Sequence, residues 1–161
     1  MRKILISLLF VSTAAIGSGI TPDSHREKLF DIALSKFWGN AVGRDGLPIE
    51  PENEVDRVTL PISKETAHLV FDIGEISGYA RWCGVDWKAH FLKLTSSARS
   101  SGFSEKQVAF IGVVHGVAQG VVEYAMTSSG MTCNDEQRQK VEKMIENSPV
   151  EAFPRLAKLP R

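Results

Sequence analysis

Cysteine is scarce. The 161-residue chain holds two, Cys83 and Cys133. They form no C-x-x-C pair, which removes the usual dithiol redox enzymes. Net charge is absent too: 19 Lys and Arg balance 19 Asp and Glu. A mixed, neutral surface gives no support for nucleic acid or an anionic membrane as partner. No Asn-x-Ser/Thr acceptor occurs, since Asn147-Ser148 is followed by Pro149. G-x-S-x-G, H-E-x-x-H and phosphate-loop motifs are all missing, so no catalytic signature or cofactor is indicated. The serines between 96 and 104 have no spaced base and acid to activate them and fit helix ends and turns.

What is present begins with an export signal. Arg2 and Lys3 precede the apolar stretch Ile4 to Val11, and small residues run from Ser12 to Gly19. This is the three-part pattern of a secretory signal peptide, placed at residues 1–19 with cleavage between 15 and 19. Its apolar run falls short of the roughly 20 residues a bilayer requires, so no membrane span is expected after cleavage. Losing Arg2 and Lys3 takes the 19 basic residues to 17 against 19 acidic ones, a net charge of −2. The expected location is the periplasm or the exterior. There Cys83 and Cys133 are expected to pair, closing a loop of about 50 residues with a stabilisation on the order of 4 kcal/mol in the loop-entropy model.

Residues 20–161 are read as one all-α domain, an irregular bundle of about five helices. Ser24-His25-Arg26-Glu27 has the capping-box pattern and opens a helix from about 24 to 38. Ser63 caps the next, to about Trp82, and Asp86 begins a third with Trp87, Phe91, Leu94 and Ala98 inward. Ser104-Glu105-Lys106-Gln107 opens the fourth, and Asn134 with Gln137 opens the fifth, with Val141, Met144 and Ile145 inward. Ser148-Pro149 is a last start signal. Between the first two helices, residues 39–62 form a long loop, rich in Pro and Gly and acidic through Glu50, Glu52 and Glu54. It is expected to pack on the helices, with Val58, Leu60 and Ile62 alternating as an extended piece or short strand.

The fourth helix raises the functional question. Its segment "GVVHGVAQG" repeats glycine at Gly112, Gly116 and Gly120, although each costs about 1 kcal/mol relative to alanine. A helical wheel places Phe110, Val113, Val114, Val117, Val121 and Tyr124 on one broad face, with Ile111, Ala118 and Ala125 beside it, expected to be core. Gly112, His115, Gly116, Gln119, Gly120 and Glu123 lie on the other. The favoured expectation is a packing seam, because Gly74 and Gly78 form a second small stripe on the second helix. Asp72 or Glu75 would then pair with His115. The alternatives are a groove in which His115, Gln119 and Glu123 handle a small ligand or a reaction, and a membrane helix, disfavoured by those polar residues.

Two lesser features complete the reading. His68, Asp72 and Glu75 share a face at metal-compatible spacing, but a solvated charged face is expected and no metal is assigned. His25 and His90 are placed on polar surfaces, and Trp82 and Trp87 around the disulfide. In size, export and cysteine count the chain resembles acid-stress chaperones and secretion-immunity proteins of the bacterial envelope. That likeness carries no motif and transfers no residue. The expected function is a non-catalytic protein-binding or envelope-maintenance module whose partner is another envelope protein. A ligand-binding or enzymatic protein and an oligomeric structural component are the alternatives.

Overall fold

The computed structural model describes residues 21–152, with side chains described through Val150. The expected signal peptide lies outside the described residues. Five helices follow in order: α1 (Asp23–Phe37), α2 (Lys64–Trp82), α3 (Lys88–Ser100), α4 (Glu105–Ser128) and α5 (Asp135–Glu146). Two 3-10 turns, Asp56–Val58 and Pro149–Ala152, complete the regular structure, and no strand occurs among the described residues.

The helix starts follow local chemistry. Ser104 and Asn134 each accept the backbone amide three residues on, and Gln107 and Gln137 reach back to complete both capping boxes. Ser63 caps α2 through the Thr66 amide, and the Asp86 carboxylate accepts from the Lys88 amide at 2.9 Å. The capping box expected at Ser24 does not form. Helix α1 starts one residue earlier, after Pro22, whose carbonyl accepts from the amides of His25 and Arg26. The start is fixed from outside: Thr21 donates its amide to Glu75, and Arg26 bonds the Thr21 carbonyl and Glu75.

α2 and α4 form the central pair, the most extensive helix–helix contact in the structure, with α1 and α3 also against α4 and α5 against α2. Phe30, Phe37, Phe71 and Phe110 are all buried in the main core. They meet edge to face, Phe30 with Phe71 at 5.8 Å and Phe37 with Phe110 at 5.2 Å between ring centres. By length and composition α4 is apolar enough to cross a bilayer; in this fold its Val108, Phe110, Ile111, Val114 and Ala118 belong to the shared core.

The face of α4 expected to be core is met only in part: Phe110 and Val114 are buried, and Val113 and Val117 pack against the core cluster. Tyr124 is 76 % exposed, and Val113, Val117 and Val121 are only half-buried. The buried side runs through Ile111, Val114, His115, Ala118, Gln119 and Val122, turned by roughly a quarter-turn at 100° per residue. The cause is α2, whose glycines admit the backbone of α4 on that side.

The acidic loop packs on the helices through Lys106, which bonds Glu52 at 2.8 Å and Asp56 at 3.2 Å. Gln107 donates to the Pro61 carbonyl. Residues 56–58 form a 3-10 turn rather than a strand, leaving Val58 exposed while Ile62 enters the core. At the opposite end the Cys83–Cys133 disulfide spans 5.2 Å between Cα atoms. It ties the end of α2 to the residue before the α5 cap, as the sequence predicts. Trp82 and Trp87 pack with it, beside Ala80 and Val141.

Candidate functional site

The α2–α4 seam is built on two glycines. A Cβ on Gly74 would lie 2.6 Å from the His115 carbonyl oxygen and 2.7 Å from Ala118 Cβ. On Gly78 it would lie 2.7 Å from Val122 Cβ and 2.8 Å from the Gln119 carbonyl oxygen. These separations are below van der Waals contact, so only glycine fits while the two backbones stay this close. The glycines of α4 do something else. Gly116 and Gly120 are exposed and meet no described atom within 4 Å of a would-be Cβ, and Gly112 faces Phe91 at 3.7 Å.

The six residues of the predicted polar face therefore do not share one surface. His115 and Gln119 are buried in the seam, at 1 % and 6 % exposure. Glu123 pairs with Arg81 of α2 at 3.0 Å. Gly116 and Gly120 look outward, beside half-buried Val113 and Val117 and exposed Tyr124. The result is a smooth apolar ridge on α4, with no side chain rising from its glycine positions.

Inside the seam the structure assembles a polar chain absent from the sequence reading. Ser77 Oγ of α2 lies 2.9 Å from His115 Nε2 of α4 and 3.0 Å from His90 Nδ1 of α3. His90 Nε2 in turn lies 2.6 Å from Ser148 Oγ, at the start of the last 3-10 turn. Four segments distant in sequence thus share one run of hydrogen bonds. Each neutral imidazole offers one donor and one acceptor, and each hydroxyl can donate and accept, so the chain is satisfied in either direction. Burial holds His115 down at about 4, with His90 as a second influence in the same direction. Burial also lowers His90, aided by the charge of Lys93. Both rings are neutral at pH 7.

His90 was expected at the surface but is 5 % exposed. Its spacing carried the signal: His90, Leu94 and Ala98 stand four apart and are all buried. Ser77 and Ser148 gave no such signal, because only tertiary packing brings them to a histidine.

The acidic residues expected near His115 serve another group. Arg26 is buried at 3 % exposure and reaches Asp72 at 2.7 Å and Glu75 at 3.0 Å, with its guanidinium 4.9 Å from the Phe71 ring centre. Asp72 and Glu75 thus anchor α1 to α2 rather than pairing with His115. His68 bonds Glu27 at 3.3 Å, away from the Arg26 cluster. Among the described residues no group of three or more His, Cys, Asp or Glu side chains could hold a metal ion. Two buried donors, Gln119 Nε2 and Trp38 Nε1, have no partner among the described residues.

The disulfide indicates an oxidising, extracytoplasmic environment. No family model matches the chain, and neither a curated protein nor a solved structure matches it.

Proposed function

We propose that this protein is an exported, periplasmic or secreted, non-catalytic helical module that binds another envelope protein along the open ridge of α4. The observation that carries this reading is the pair Gly116 and Gly120. Each costs about 1 kcal/mol in a helix interior, yet no described residue uses the space they leave. Small residues in that pattern allow a second helix backbone to approach closely. Val113, Val117 and Tyr124 flank them and supply apolar contact. The fitting partner presents an apolar helix of its own.

The chemistry of the seam gives a reaction no support. His115 is enclosed between α2 and α4, Gln119 is buried, and Glu123 is occupied by Arg81. A ligand groove would need these three side chains together at an accessible surface.

Site-directed photocrosslinking in the producing cell tests the proposal. A photoreactive residue at Tyr124 is expected to yield one discrete adduct with another protein, while the same residue at Leu92, exposed on α3, yields none. Equal labelling at the two positions, or no adduct at Tyr124, would overturn it. An adduct at twice the mass of the chain would replace it with the oligomeric reading.

A further inference from the structure

Four segments meet at one hydrogen-bonded chain, and two of its four members change charge between neutral and acidic pH. The 3-10 turn that follows Ser148 is held to the bundle by contacts to α2 and α3. Within it, Val150 is buried in the main core and Ser148 holds His90 at 2.6 Å. Nothing in the α4 ridge requires this arrangement.

We propose that the Ser148–His90–Ser77–His115 chain is an acid-released latch, whose protonation frees the 148–152 segment and the start of α3 from the α2–α4 pair. The geometry sets the mechanism. With both imidazoles neutral, every donor in the chain meets an acceptor. A first proton on either ring makes both its nitrogens donors, and the chain accommodates this by reversing direction about the hydroxyls. A second proton turns His90 Nδ1 and His115 Nε2 both toward Ser77 Oγ as donors. The hydroxyl proton of Ser77 then has no acceptor in the chain. Two positive charges also stand no more than about 6 Å apart in a dry seam.

The surroundings deepen the conflict. From α3, Lys93 adds positive charge near His90. From α4, His115 is the titrating group, and Phe91 lies over its ring at 4.8 Å between centres. Across from them, α2 contributes the Ser77 hydroxyl and the terminal turn contributes that of Ser148, neither of which titrates in this range. Escape of His90 toward water relieves the charge, and it carries Ser148 and Val150 with it. The closed chain resists the second proton whereas the released rings take up both, so release binds more protons than a single histidine would. Release is therefore steeper than for a single histidine.

Hydrogen exchange on the mature protein at pH 7 and pH 4, corrected for the intrinsic pH dependence of exchange, tests this. Amides of residues 148 and 150–152 and the first turn of α3 are expected to lose protection at least tenfold at pH 4. Amides around Phe71 and Phe110 should lose less and remain the best protected at both pH values. The His90→Gln/His115→Gln variant keeps neutral hydrogen-bonding side chains and should retain the pH 7 pattern at pH 4. Equal protection at both pH values would overturn the latch. So would a loss of the same size across the whole chain, or acid loosening of the double variant. Should that variant not fold, imidazole NMR on the unaltered protein decides. The midpoint of ring protonation must coincide with the loss of protection at 148–152, and titration of the rings without that loss would overturn the proposal.

Discussion

At Gly74 and Gly78 an added methyl meets the backbone and side chains of α4, whereas at Gly116 and Gly120 it meets no described atom. The same substitution should therefore have opposite signs on the two helices. Gly74→Ala or Gly78→Ala overpacks the seam and is expected to destabilise by about 1–3 kcal/mol. Gly116→Ala and Gly120→Ala each restore helix propensity and should stabilise by up to about 1 kcal/mol. Thermal melts of the four variants check both signs, and destabilisation at Gly116 or Gly120 would place an unrecognised contact there. A second residue-scale test concerns Glu75, which is buried against Arg26. Glu75→Ala leaves Arg26 with Asp72 alone and the Thr21 amide without its acceptor, so it should cost about 1–3 kcal/mol by denaturant unfolding. Paired replacement of Arg26 and Glu75 by apolar residues should cost less.

Between elements, the linkage is between pH and the packing of α3 on α2 and α4. The folded state holds His115 at about 4, below its ordinary value of 6.5. Between those limits the unfolded chain binds a proton that the folded chain refuses. Stability is then fully present above pH 6.5, declines as pH falls toward 4, and levels off below it. For His115 alone the loss amounts to roughly 3 kcal/mol, with His90 adding in the same direction. Urea titrations at a series of pH values should show a falling midpoint across this window, and His115→Gln should flatten the fall. Much of the element layout was legible beforehand. The boxes at Ser104 and Asn134 and the cap at Ser63 depend on neighbours a turn away, and the sequence carries those neighbours, whereas α3 is capped at Trp87, one residue past the expected Asp86. The start of α1 was misplaced because its anchor, Glu75, lies 54 residues from Thr21. The wheel for α4 was met only in part for a related reason. Apolar residues surround most of that helix, and the close approach of α2 decides which of them are buried.

For the whole molecule, two ties hold the bundle: the Arg26 cluster joins α1 to the middle of α2, and the Cys83–Cys133 bridge joins the end of α2 to the start of α5. Thiol titration of the denatured, unreduced protein should find no free thiol. Reduction should lower stability by about 4 kcal/mol in the loop-entropy model. The site was less legible than the fold. The glycine stripes could be counted, but which one faced inward depended on the register of two helices, and the buried serines gave no pattern at all. What results is a bundle whose histidines are locked inside and whose open glycines lie outside, on the ridge assigned to a partner. Filling the open glycines of that ridge separates stability from partner binding. Gly116→Leu/Gly120→Leu should fold at least as stably as the unaltered chain, since leucine is the better helix former. Measured by crosslinking from position 124, the doubly substituted protein is predicted to lose its adduct. A stable variant that still gives the same adduct in the same yield would contradict the account.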